Sequence, residues 1–132
     1  MLKSTRFAAV CVVLLALTTG CSVSKKLSDK FVPNPSKEAL AKHLSTVGAT
    51  MYGTYWCIAC KGQQKEFGKQ AFEQIKFIEC DPGGPNPQVE LCRQKNITSF
   101  PSWEINGKLD CIGGCSLDKL ADLSGYKGER NF

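Results

Sequence analysis

The chain has 132 residues, 42% of them hydrophobic, and a formal net charge of +5 at pH 7, enough for one domain with a modest core. Its basic residues are scattered and no aromatic stripe runs between them, so the sequence shows no nucleic-acid footprint. Eight cysteines are the outlying feature: cytosolic chains of this size use that many to bind metal, and exported chains use them as disulfides.

Residues 1–20 read as an export signal of the lipoprotein type. Lys3 and Arg6 form a positive start, and Phe7 to Leu17 an apolar run too short to cross a hydrocarbon layer of about 30 Å as a helix. Without those two charges the balance is 15 basic against 12 acidic side chains. Leu17-Thr18-Thr19-Gly20-Cys21 resembles a bacterial lipobox, in which the cysteine is lipidated and becomes the mature N-terminus. Thr18 stands where that motif carries leucine, so plain cleavage to a soluble periplasmic protein is the alternative. Cys11, inside the apolar run, is a small hydrophobe. Residues 21–35 are polar, end in Pro33-Asn34-Pro35 and read as a flexible tether. The expected location is the periplasmic or cell-surface side of a bacterial membrane, with six cysteines left for the domain.

The domain is expected over residues 36–126. Ser36 is a candidate cap for a helix through Val47, ended by Gly48, with Leu40, Leu44 and Val47 on one face. His43 on that helix reads as an exposed residue rather than a ligand or base. Ala49 to Tyr55 reads as a first strand. Cys60 to Ala71 reads as a helix with Cys60, Gln64, Phe67 and Ala71 on its inner face. Ile75 to Cys80 is a buried strand; the run from Asp81 to Pro87 is a loop; Gln88 to Lys95 is a short helix. A third strand ends at Ile105, and Asn106-Gly107 predicts a tight hairpin to a fourth over Lys108 to Ile112. Ser116 caps a last helix ended by Gly125, and residues 127–132 read as a frayed tail.

Chemistry centres on Tyr55-Trp56-Cys57-Ile58-Ala59-Cys60. A cysteine at a helix start faces unpaired N–H groups and the positive end of the helix dipole, both of which favour thiolate. Cys60 lies one turn along the same helix, within reach of Cys57. Such a dithiol can close, open and attack other disulfides. Cys57, the more exposed, is the candidate attacking thiol, and Cys60 the candidate resolving thiol.

Cys80 and Cys92 bracket the Pro/Gly loop. A bridge would close about 13 residues and contribute roughly 3 kcal/mol, and a structural disulfide is the favoured reading over a second redox pair. Cys111 and Cys115 flank Ile112-Gly113-Gly114. They can pair with each other, stay reduced, or relay with the first pair, a local disulfide being favoured. A zinc site of Cys57, Cys60, Cys111 and Cys115 is conceivable, but the first pair precedes a long amphipathic helix rather than a tight knuckle. Covalent haem is disfavoured by Lys61, where C-x-x-C-H needs histidine. No cofactor and no metal are expected.

Without the first helix the order is β-α-β-α-β-β-α, and a C-x-x-C at its first strand-to-helix junction is similar to the thioredoxin arrangement. The fold class expected is therefore α/β, thioredoxin-like, a four-stranded mixed sheet with helices on both faces and one extra N-terminal helix. Met51 to Cys57, Phe77-Ile78-Glu79-Cys80, Cys92, Ile97 to Trp103 and Ile105-Asn106-Gly107 together resemble one family. It is the thioredoxin-like domain fused to bacterial homologues of vitamin K epoxide reductase, and the likeness runs over about residues 49–126. The resemblance implies a cis Phe100-Pro101 bond against the dithiol, the alternative being an ordinary trans proline starting a strand. It also implies a substrate rim of Trp56, Phe100 and Pro101, and a Cys80–Cys92 pair.

In activity, the resemblance implies electron exchange with exported proteins and with a membrane quinone reductase, here necessarily a separate chain. Cys111 and Cys115 are outside the family pattern, and no acid near Met51 matches the buried one many thioredoxins carry. The reading is an exported, monomeric thiol–disulfide oxidoreductase that oxidises or shuffles disulfides. Its rivals are a periplasmic reductase fed by a membrane thiol carrier and a non-catalytic module stabilised by disulfides or zinc.

Overall fold

The computed structural model describes residues 33–132. The expected export signal, Cys11, Cys21 and most of the expected tether lie outside the described residues.

The first helix, α1, spans Pro35–Thr46. Its cap is Asn34 and not Ser36: the Asn34 side chain accepts from the N–H groups of Ser36 and Lys37. Pro35 takes the first helical position, where a missing N–H costs nothing and the fixed φ suits the helix. Ser36 is instead buried within the first turn.

Strand β1, Thr50–Gly53, is buried along its whole length. The next helix is shorter than its pattern suggests. α2 runs over Ile58–Phe67 and stops at Gly68, whose φ of 84° and ψ of 155° suit glycine alone; a single turn, α3, follows over Lys69–Phe72. The inner face is Cys60, Gln63, Phe67 and Ala71, so Gln63 takes the place expected of Gln64.

β2 (Lys76–Glu79), α4 (Val89–Gln94), β3 (Ser102–Ile105) and β4 (Lys108–Asp110) come next. The sheet order is β2-β1-β3-β4. β1 and β2 are parallel, and both other pairings are antiparallel. Asn106 and Gly107 both have positive φ, the geometry of a two-residue hairpin turn whose twist matches its strands. α5, Leu117–Ser124, is capped by Ser116 and ended by left-handed Gly125.

Side chains alternate across the sheet. Met51, Trp103 and Ile105 join Leu40 and Leu44 of α1, Phe67 of α2 and Leu120 of α5 in the main core, with Phe77 packed on it. Tyr52 and Ile78 face the other way, toward Cys92 of α4. Helices therefore cover both faces, with α1, α2 and α5 sharing one. This is a mixed α/β sheet of thioredoxin-like order with one added helix at its N-terminal side.

Residues 127–132 have no helix or strand, yet they fold back rather than fray. Phe132 packs on the core beside Tyr126, Arg130 donates to Asp122, and Asn34 donates to the carbonyl of Asn131. His43 is half-buried rather than exposed. Its Nε2 donates to the Ser124 carbonyl at 2.9 Å and its ring lies 5.4 Å from that of Tyr126.

Candidate active site

Cys57 is the N-cap residue of α2, and its Sγ accepts the N–H of Cys60 at 3.0 Å. An N-cap normally uses a side-chain oxygen to satisfy one of the free N–H groups at a helix start; here sulfur does so. Cys57 and Cys60 are joined as a disulfide, with Cα atoms 5.2 Å apart. Cys57 keeps 5% of its surface in solvent and Cys60 none, so the sulfur a partner would meet is that of Cys57.

Beneath the pair, β1 ends in Gly53. A Cβ placed there would stand 2.9 Å from Cys60 Sγ and 2.8 Å from Phe77 Cε2, so only glycine lets α2 settle this close to the sheet. The close approach is a packing requirement that the strand pattern did not reveal.

Of the expected rim, Trp56 is exposed, Phe100 half-buried and Pro101 enclosed. Trp56 is 54% exposed, lies edge-on to Phe100 at 6.5 Å between ring centroids, and donates its indole N–H to Asp81 at 2.7 Å. That bond, with one from the Gly83 N–H, holds the Asp81 carboxyl below its ordinary value. The Phe100-Pro101 peptide is cis, and Pro101 is fully buried. Tyr55 and Ile58 are also exposed on this segment.

Cys80 is bonded to Cys92, tying the end of β2 to α4 beside Tyr52 and Ile78. Cys111 is bonded to Cys115. The four cysteines of the conceivable zinc set are thus closed as two separate pairs. Sequence reading left the third pair's place open. Its turn lies against Pro101 and α2, with the Gly113 N–H donating to the Pro101 carbonyl at 2.8 Å and the Cys115 N–H to Gln63 Oε1 at 3.2 Å.

Two further residues were missed. Gln63 is the buried polar side chain that joins α2 to that turn; the i+3 spacing from Cys60 was the available signal. Glu79 is the one buried carboxylate among the described residues. It pairs in register with Gly53 and shares the sheet face of Phe77, which places it on the side that carries Cys60. Its Oε1 accepts the Asp81 N–H at 2.9 Å while Oε2 is buried without a partner. Gly84 packs directly on this carboxyl, where a Cβ would come within 2.7 Å of Oε2. A buried acid thus stands on β2, one strand over from the first, visible only once β1 and β2 are paired.

On the opposite face, Glu104 accepts from Lys95 at 2.6 Å and from the Tyr52 hydroxyl at 2.7 Å. The Lys95 bond first, and then that from Tyr52, keep the Glu104 carboxyl below its ordinary value. Burial and the same carboxylate push the Tyr52 phenol well up.

Fold and site together define a thioredoxin-like domain with a dithiol–disulfide pair at the first strand-to-helix junction. No family model matches the chain. Over 96 residues, 70% of its length, the chain is 38% identical to the thiol-disulfide oxidoreductase LTO1 of Arabidopsis thaliana. It spans about a quarter of that relative, 25% of its length.

Proposed function

We propose that this chain is an exported thiol–disulfide oxidoreductase working through Cys57 and Cys60. The observation that carries the reading is the Cys57 sulfur at the α2 N-cap, accepting the Cys60 N–H at 3.0 Å. When the pair is reduced, that N–H and the positive helix end stabilise negative charge on Cys57. Cys57 thiolate attacks a partner disulfide and one partner sulfur leaves as thiolate. Cys60 then attacks Cys57, re-forming Cys57–Cys60 and releasing the second partner thiolate. Run backward, the same steps pass a disulfide to a reduced partner, the direction favoured here.

Substrates are exported proteins bearing thiols or disulfides, engaged over the rim of Trp56, Phe100 and Pro101. Their electrons pass to a membrane redox partner of the vitamin K epoxide reductase type. The Met1-to-Gly20 leader and Cys21 support a lipid-anchored monomer outside a bacterial membrane, and the relative's name supports the reaction class. The test is a redox titration of Cys57/Cys60 beside a Cys57→Ser variant. A potential between about −300 and −120 mV and loss of exchange in the variant are expected. A potential far below −300 mV with exchange unchanged in the variant overturns the reading.

A further inference from the structure

The Cys111–Cys115 bond does a different job from Cys80–Cys92. The latter joins two elements across a 12-residue separation. The former spans a separation of 4, across a turn that hydrogen bonds already close. The Gly114 N–H donates to the Cys111 carbonyl at 3.1 Å, alongside the bonds from Gly113 to Pro101 and from Cys115 to Gln63. Breaking the disulfide therefore leaves the turn held at three points. Cys111, Gly113 and Gly114 all have positive φ, at 51°, 88° and 96°. Cys111 alone of the three carries a Cβ in that region, which adds strain that opening the ring can relieve. Both cysteines are half-buried, as Cys80 is, so solvent reaches the bond. Strained disulfides are the exchangeable kind.

This turn also packs against Pro101 and Gln63. A Cβ on Gly114 would stand 3.2 Å from Pro101 Cγ. Gln63, which holds the Cys115 N–H, lies one helical turn beyond Cys60 on the same buried face.

We propose that Cys111–Cys115 is a second redox-active disulfide that takes electrons from the Cys57/Cys60 dithiol of the same chain. The inference rests on the reading of Cys57/Cys60 as an exchange pair. Approach to Cys57 swings the turn about Gly113-Gly114 and parts its bonds to Pro101 and Gln63. Cys57 thiolate attacks Cys115 Sγ, forming Cys57–Cys115 and releasing Cys111 as thiolate. Cys60 thiolate then attacks Cys57, re-forming Cys57–Cys60 and releasing Cys115 as thiolate. Two electrons move: Cys57/Cys60 is oxidised, Cys111/Cys115 is reduced, and the two protons pass between the pairs through solvent. One chain thereby accepts two electron pairs from its substrates before it must be reoxidised.

The test treats the oxidised full-length protein with one equivalent of dithiothreitol, quenches by alkylation and maps thiols by mass spectrometry. Thiols are expected at Cys57/Cys60 first and then at Cys111/Cys115, with Cys57→Ser slowing the second appearance about tenfold. A Cys60→Ser/Cys111→Ser variant, oxidised in air, is expected to yield a peptide joining Cys57 to Cys115 in the monomer fraction, with Cys80–Cys92 still closed as the fold control. If Cys57–Cys60 opens while Cys111–Cys115 stays closed and no joined peptide forms, this inference fails alone. Equal rates of Cys111–Cys115 opening with and without Cys57 overturn it too. If Cys57–Cys60 does not open, both it and the proposed function fail.

Discussion

Gly53 and Cys60 meet so closely that the missing Gly53 Cβ would lie 2.9 Å from Cys60 Sγ. The resolving sulfur thus rests on strand backbone, and one added methyl group would lift it. Gly53→Ala is expected to cost roughly 1–3 kcal/mol as overpacking, because Phe77 blocks the other escape. Denaturant unfolding of the oxidised protein checks the cost. A redox titration should show the Cys57/Cys60 potential moving in the same variant, and no change in either would refute the packing account.

Cys60→Ser should trap what Cys57→Ser prevents. With no resolving thiol, the bond between Cys57 and a substrate sulfur cannot be released from within. A covalent, reductant-sensitive adduct through Cys57 is expected on a non-reducing gel. Its appearance in a Cys57→Ser/Cys60→Ser protein would contradict the assignment.

Cys80–Cys92 closes a loop of 13 residues that has no helix or strand until α4 begins. Cys80→Ala/Cys92→Ala is expected to lose about 3 kcal/mol and roughly 10–25 °C of Tm. Calorimetry on the oxidised proteins measures this. A loss below about 1 kcal/mol would mean that the bond does little for the fold.

Glu104 ties stability to acid. Its carboxyl sits below the usual 4.5 in the folded protein, so it adds stability above that pH and loses it as pH falls through the lowered value. Glu104→Gln should be the less stable protein at pH 7, and the gap should close as pH falls below 4.5. Urea midpoints of the two proteins across that range decide it; a constant gap would assign the effect to packing.

The reach of sequence reading differs by residue. Asn106-Gly107, Ser116 and Gly125 act through their own backbone preferences, and the structure places a turn, a cap and a stop there. Cys57 and Cys60 were legible because a C-x-x-C at a strand-to-helix junction has few other uses. The expected Ser36 cap gave way to Asn34, because both side chains can cap and Pro35 suits the first helical position. Gln63 and Glu79 were illegible for a deeper reason. The Gln63 partner is 52 residues away, and Glu79 meets Gly53 only through strand pairing. Contacts between segments distant in sequence leave no local pattern.

The bond from Trp56 to Asp81 has an optical consequence. The chain has two tryptophans; Trp103 is fully enclosed and Trp56 is half in solvent beside the dithiol. Their emission should separate into a blue component from Trp103 and a red one from Trp56. The red component alone should brighten when the neighbouring Cys57–Cys60 disulfide opens and its quenching ends. Because Asp81 follows Cys80, the same indole is moored to the loop that the second disulfide fastens. The molecule thus carries an intrinsic fluorescent gauge of both bonds, readable without a label.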